Sequence, residues 1–188
     1  MVKKLWQMKR RTLKDYNLMA GNYDLRYREE QSKKYDAVLD RISVDARGPI
    51  LDVGCGTGLL IERLAGCAPY IVAIDFSEAM LSMTRERCKA FDNVLLVRGD
   101  ADFLPLRDDA FDNVFAFTLL QNIPEPKRTL RELARVAKPG ASMAITGLRK
   151  RYAMTELTDL IDMFNLRLIE SVDLDSLKDH IIICRKPF

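Results

Sequence analysis

A short apolar strand that breaks directly into a glycine-rich turn constrains this chain more than any other feature. Residues 50–53 have the composition of a buried strand, and glycine then occupies every second position at Gly54, Gly56 and Gly58. Glycine has no Cβ, so the backbone of such a turn can come within contact distance of a ligand. The segment therefore predicts a ligand-binding turn at the end of a strand.

The acid at this break, Asp52, indicates the charge of the ligand. A turn that binds a dinucleotide offers backbone amides to a pyrophosphate and has its third glycine three positions after the second, where this chain has Leu59. A carboxylate at this point would repel phosphate. We therefore expect a ligand with positive charge, a requirement that the sulfonium and ammonium groups of S-adenosylmethionine meet.

Strands and helices alternate from residue 50 onward, and the fold class follows from this alternation. It predicts a parallel sheet with right-handed crossovers. The last two strands are separated by too few residues for a parallel crossover, so they should pair as a hairpin. We expect an α/β, Rossmann-like fold with a seven-stranded, mostly parallel sheet, an antiparallel C-terminal hairpin strand and helices on both faces. The predicted strands are 50–54, 70–75, 94–98, 113–117, 142–146, 166–172 and 180–184, and the predicted helices are 29–42, 58–66, 77–90, 127–137 and 155–164, with a turn at 138–140.

Length, charge and cysteine placement limit the class of protein further. A chain of 188 residues is expected to form one domain, 1–188, with a basic N-terminal helical cover over 1–46 and a cofactor-binding core over 47–188. Ten Lys or Arg residues and four acids lie within residues 1–34, so the positive charge is concentrated there. Four scattered cysteines without a CxxC pair, and no secretory leader, predict a cytoplasmic protein without a metal site. No apolar run approaches the ~20 residues that span a bilayer, so no membrane partner is expected.

The chain resembles the class I S-adenosylmethionine-dependent methyltransferases, in particular their small, insertion-free branch, which includes methylases of quinones and other small molecules. The resemblance covers nearly the whole chain. It rests on five segments that occur in the family's order and spacing, namely 51–58, 73–77, 99–106, 110–114 and 130–140.

This resemblance implies a set of cofactor-binding residues. The glycine turn would pass under the methionine part, with Asp52 near its amine or fixing the loop amides. Asp75, which ends the strand 70–75, would take the ribose hydroxyls, as the spacing of doubly wound folds independently suggests. Asp100 would accept a hydrogen bond from the adenine amino group, and Phe76 would either pack against adenine or serve as an ordinary core aromatic. The expected cofactor-binding residues are Asp52, Gly54, Cys55, Gly56, Gly58, Asp75, Phe76, Asp100, Ala101 and Thr118.

Catalytic residues are less well indicated. Gln121 and Asn122 follow the fourth strand and could orient an acceptor or simply form a turn. Tyr23 lies in a segment that resembles the family's mobile cover and could approach the cofactor or pack in the core. His180, the only histidine, is more easily a strand-end residue than a base. No motif specific to DNA is present.

Several functions fit the sequence. The leading hypothesis is methyl transfer to an acceptor that is either a small molecule or a nucleotide within RNA. A second is a catalytic subunit that modifies RNA or protein only when a small activator protein docks on the predicted edge strand near 93–98. A third is a binding module that retains the cofactor and has lost transfer activity.

Overall fold

The computed structural model describes residues 2–44 and 48–188, which form one seven-stranded sheet between two layers of helices. Helices α1 to α5 span Val2–Leu39, Leu59–Leu64, Glu78–Cys88, Pro126–Val136 and Met154–Asp162, and a short 3-10 helix covers Leu120–Asn122. Strands β1 to β7 span Ile50–Val53, Ile71–Asp75, Val94–Arg98, Phe111–Ala116, Ala137–Leu148, Arg167–Val172 and Asp179–Arg185.

The strand order is β3-β2-β1-β4-β5-β7-β6. Strands β1 to β5 pair in parallel, and β7 inserts antiparallel between β5 and β6. The predicted Rossmann-like fold with an antiparallel C-terminal hairpin is therefore confirmed. The order reverses between β1 and β4, and ligands of open α/β sheets bind at the carboxyl edge of such a reversal.

Alternation along the central strands divides the core into two clusters, one on each face of the sheet. In β2, for example, Val72 and Ile74 pack on the face that α4 and α5 cover, whereas Ile71 and Ala73 pack on the other face. Helices α1, α2 and α3 cover that second face. Because both faces are buried, the central strands consist of nearly continuous apolar residues.

Helix α1 is much longer than the predicted helix over 29–42 and includes all ten Lys and Arg residues of the basic segment. The earlier residues contain Ala20, Tyr23 and Tyr27, which pack together with Met80 of α3, so they have a partner surface along the core. Gly21 is tolerated within the helix because tertiary contacts on either side hold it. No helix within the described residues is long and apolar enough to cross a membrane.

The predicted turn at 138–140 is wrong, because these residues belong to β5. The pairing of β4 with β5 shifts register between Phe111 and Asn113, and Gly140 adopts a φ of 81°. A glycine in this conformation lets the strand continue through an irregularity that would otherwise end it. Local composition therefore indicated a turn where long-range pairing maintains a strand.

Candidate active site

The glycine turn after β1 borders a cavity at the carboxyl edge of the sheet. Gly54, Gly56 and Gly58 have φ angles of 80°, 56° and 82°, a region that favours glycine. At Gly54 a Cβ would lie 3.0 Å from the side chain of Leu119, whereas at Gly56 it would meet no atom within 4 Å. The backbone of Gly56 thus faces open space that a ligand can fill.

Asp75 organises this turn from the end of β2. Its Oδ2 accepts the backbone N–H of Gly56 at 2.9 Å, and its Oδ1 accepts that of Ser77 at 2.8 Å. Burial raises the pKa of Asp75, and these backbone donors oppose the rise. A carboxylate has about four acceptor positions, so two remain for hydroxyl groups of a ligand.

The cavity has an empty volume of about 760 Å³, part of it open to solvent. It brings together most of the residues that the sequence singled out, including Tyr23 and Asn122 of the catalytic candidates. Apolar and aromatic side chains form much of the remaining wall. The predicted residues that line the cavity are Tyr23, Gly54, Gly56, Asp75, Phe76, Asp100, Ala101, Thr118 and Asn122.

Four predicted residues lie outside this cavity wall. Asp52 and Cys55 line a smaller adjoining pocket at the glycine turn. Gly58 is the N-cap residue of α2, where a Cβ would lie 2.8 Å from the side chain of Thr84 of α3. Gln121 also lies outside both pockets, and its backbone carbonyl accepts a hydrogen bond from Arg151. Of the two amide residues that follow the fourth strand, Asn122 therefore lines the cavity and Gln121 does not.

Asp52 is buried below the turn and has an unusual charge state. Burial is the main cause that raises the pKa of Asp52 to about 8, and the negative charge of Asp75 is the second. The adjoining pocket also contains Tyr23, Gln31 and Thr57. A cationic group in this pocket would stabilise the ionised form of Asp52, so the site favours positive charge.

Helix α1 covers the cavity and contacts the residues expected to hold adenine. The Nζ of Lys9 lies 2.6 and 2.7 Å from the two carboxylate oxygens of Asp100 and 2.5 Å from Oδ2 of Asp102. The indole of Trp6 meets the ring of Phe76 edge to face, with 6.1 Å between centroids. Sequence reasoning treated the early basic residues as one charged segment and did not identify Lys9, although its helical spacing from Tyr16 and Tyr23 places it on the inner face.

A second lysine fixes the other end of α1 beside the cavity. Lys34 is 1% exposed and forms an ion pair with Asp179 of β7. Its Nζ also donates to Thr118 Oγ1 at 3.0 Å, and Gln31 Nε2 donates to the same oxygen at 3.0 Å and to the Tyr23 hydroxyl at 3.2 Å. This buried network holds α1 against the end of β4.

Thr118, predicted as a cofactor-binding residue, has a strained backbone at the centre of that network. Its φ of 54° is unusual for a residue other than glycine, and its N–H donates to Thr146 Oγ1 at 2.8 Å. Such strain persists only where surrounding contacts over-determine it. The network therefore positions the loop after β4 at the cavity.

Two tyrosines of α1 and one asparagine line the cavity on the side that this helix covers. The Nδ2 of Asn122 donates to the Tyr16 hydroxyl at 2.7 Å. Burial raises the pKa of Tyr16 to about 12 and raises that of Tyr23 further. Both hydroxyls stay protonated near neutral pH, so they act as hydrogen-bonding groups and not as bases. His180 lies outside the cavity, where its Nδ1 is 3.1 Å from Asp173.

Comparison with known proteins gives the family. The family model described as methyltransferase domain matches residues 51–145, which contain the glycine turn, Asp75 and Asp100. The chain belongs to this family, that of the class I S-adenosylmethionine-dependent methyltransferases, and its cofactor is S-adenosylmethionine.

The chain aligns with only part of each individual relative. A demethylmenaquinone methyltransferase from Clavibacter sepedonicus is 45% identical over 96 residues, which are 51% of this chain and 39% of that protein. One from Renibacterium salmoninarum is 35% identical over 133 residues, 62% of this chain and 55% of that protein. The chain thus spans about half the length of the curated relatives it matches.

A solved structure gives a fuller match to the fold. A methyltransferase from Haloferax volcanii, solved in complex with the Trm112 methyltransferase activator, superposes with a TM-score of 0.83 and 17% identity. The match covers 94% of this chain and 98% of that one. At this identity the likeness concerns the fold alone.

Proposed function

We propose that this enzyme transfers a methyl group from S-adenosylmethionine to a small, largely apolar acceptor. The observation that carries this proposal is the wall of the cavity beyond the cofactor-binding residues. Leu13 and Tyr16 of α1 line it together with Leu119 and Ile123 of the loop after β4. A space closed by a helix and lined in this way suits a compact apolar molecule that is removed from water.

Different residues of the chain would bind different parts of the cofactor. Asp75 would accept the ribose hydroxyls with the acceptor positions that Gly56 and Ser77 leave free. Asp52 would face the ammonium group, Phe76 and Ala101 would contact adenine, and Asp100 would accept from its amino group. The bound cofactor supplies an electrophilic methyl group on a sulfonium.

The side chains on the acceptor side of the cavity would mainly orient the acceptor and exclude water. Asn122 and the hydroxyls of Tyr16 and Tyr23 are the polar groups there, and the raised pKa values of both tyrosines keep them as donors. A preorganised, water-excluding site is sufficient when the reaction joins two aligned reactants. We infer a ring-containing lipid such as a demethylated quinol as the acceptor class, since curated relatives are named for demethylmenaquinone.

The proposal is tested by labelled methyl transfer into a lipid extract and into isolated RNA and protein fractions. We expect the label in the lipid fraction, resistant to nuclease and protease, and absent with Asp75→Asn. The matched control is Asp92→Asn, which changes an exposed acid outside the cavity. Label confined to RNA or protein would overturn the acceptor class, and cofactor binding without transfer to any fraction would favour an inactive binding module.

A second candidate is a catalytic subunit that acts on RNA or protein with a small activator protein. Strand β3 lies at an edge of the sheet, and Leu95 on it is 54% exposed. An unpaired edge with exposed apolar residues can accept a strand from another chain. The methyltransferase whose fold matches 94% of this chain was solved with an activator, which is the second observation in favour of this candidate.

The two candidates separate by the need for a partner. If an activator is required, the purified enzyme should be inactive alone, and Leu95→Lys should abolish co-purification of a second chain. Leu168→Lys, at the opposite edge strand β6, is the matched control. A purified monomer that is active on a small acceptor would exclude the partner-dependent candidate.

A further inference from the structure

The outer face of α1 carries charge and apolar surface that the methyltransferase site does not use. Lys4, Arg11, Leu18 and Leu25 follow one another at intervals of seven residues, so they form a stripe along one side of the helix. All four are exposed to solvent. The opposite side of the same helix, with Lys9 and Tyr16, lines the cavity.

The cations on this face are not neutralised by the rest of the protein. Within the described residues, none of the six exposed cations of residues 3–26 forms an ion pair, and Asp24 pairs instead with Arg28 and Arg87. Asp15 is the one exposed acid of this segment. The surface therefore presents a strong positive field to solvent. The six cations are Lys3, Lys4, Arg10, Arg11, Lys14 and Arg26.

Large apolar side chains stand among these cations. Leu18 is 74% exposed and Leu25 is 87% exposed, and they form the C-terminal half of the stripe, between Lys14 and Arg26 along the helix. Trp6 and Met8, toward the start of the helix, are also about half exposed. Leucines that are nearly free of contacts gain nothing in water or against phosphate groups, but they gain free energy by entering an acyl-chain boundary.

We propose that this face of α1, comprising the six cations with Leu18 and Leu25, docks the enzyme on an anionic lipid surface. Lys and Arg would contact the headgroups while their stems and the leucines enter the boundary with the acyl chains. The combination favours lipid over RNA, because RNA would use the cations and leave the leucines without a partner. The association is peripheral and needs no spanning segment.

Docking in this orientation places the cover of the cavity at the membrane. Phe103, in the loop between β3 and β4, is 65% exposed, and its ring lies 5.9 Å from the Nζ of Lys9 on the cavity side of α1. The docking itself does not depend on the identity of the methyl acceptor.

The test is vesicle flotation with purified enzyme and no cofactor, using phosphatidylcholine vesicles with and without phosphatidylglycerol. We expect binding only to the anionic vesicles. Each cation near the surface contributes roughly fivefold to affinity. The variant Lys4→Gln/Arg10→Gln/Arg11→Gln/Lys14→Gln should therefore bind anionic vesicles with an affinity lower by on the order of a hundredfold or more. Its matched control neutralises Lys89, Lys127, Lys150 and Arg167, which are exposed elsewhere, and should bind normally.

The leucines distinguish a lipid surface from a nucleic acid. Leu18→Gln/Leu25→Gln should reduce vesicle binding severalfold, whereas Met163→Gln/Leu174→Gln, at exposed positions elsewhere, should not. Equal binding to neutral and anionic vesicles, an unchanged leucine variant, or an equal loss in the charge control would each overturn the proposal. Tighter binding to RNA than to vesicles, insensitive to the leucines, would assign the face to nucleic acid. Because no methyl transfer is measured, failure here leaves the proposed acceptor to its own test.

Discussion

The ammonium group of Lys9 lies within 2.7 Å of both carboxylate oxygens of Asp100, a residue 91 positions later in the chain. This contact joins the cover helix to the residue expected to receive the adenine amino group. It also gives one cation two acidic partners, because Asp102 Oδ2 lies 2.5 Å from the same ammonium group. The cover is therefore held by charge at the point where the cofactor's base would lie.

Replacing this cation should destabilise the protein. In Lys9→Met, Asp100 and Asp102 would face each other without a counter-ion, and we expect the free energy of unfolding to fall by about 1–3 kcal/mol. Urea unfolding measures the change. Lys14→Met, which removes an exposed cation of the same helix, should change it by less than about 0.5 kcal/mol. Equal effects of the two substitutions would contradict a specific role for Lys9.

Asp75→Asn should weaken cofactor binding without unfolding the protein. The substitution keeps the size of the side chain and removes the charge that would accept the ribose hydroxyls. Hydrogen bonds to a charged group contribute about 1.5–3 kcal/mol, which corresponds to an affinity loss of about tenfold to a hundredfold. Calorimetric titration with S-adenosylhomocysteine gives the affinity, with Asp92→Asn as the control. An unchanged affinity in the folded variant would exclude Asp75 as a ligand of the ribose.

Asp52 should make stability depend on pH. Its pKa is about 8 in the folded state, above the ordinary value near 4, so the folded state binds a proton that the unfolded state releases between these values. Stability from this group is therefore complete below about pH 4 and is lost as pH rises toward 8, with a slope on the order of 1 kcal/mol per pH unit. Asp52→Asn should remove this slope in urea unfolding at several pH values. A slope that the substitution leaves unchanged would contradict the assignment.

Replacing only one partner of the buried ion pair between Lys34 and Asp179 should strongly destabilise the protein. Lys34→Met leaves Asp179 buried without its cation, and we expect a loss of about 3–5 kcal/mol in the free energy of unfolding. Replacing both residues in Lys34→Met/Asp179→Leu should recover most of that loss, because no charge then remains buried. A single variant as stable as the wild type would show that the pair does not anchor α1.

The fold, and the meeting of the glycine turn, Asp75 and Asp100 at one cavity, were predictable because local sequence patterns indicate them. The glycine turn, Asp75 and Asp100 each follow a strand, and the strands of an α/β sheet end at a common edge, so the cluster follows from the order of elements. The contacts of Lys9 and Lys34 could not be predicted in the same way. Their partners lie 91 and 145 residues away, and a basic segment contains no local signal of which cation will be buried.

Because α1 is long and uninterrupted, a small tilt at one end produces a large displacement at the other. Lys34 anchors one end, and Lys9 lies 25 residues earlier, a distance of about 37 Å along a helix. Over that arm, a tilt of about 5° at the anchored end would displace Lys9 by about 3 Å, enough to separate it from Asp100. A small rearrangement around Asp179 and Thr118 at one end would thereby be amplified into a displacement of Lys9 relative to Asp100 at the other, with the helix itself intact.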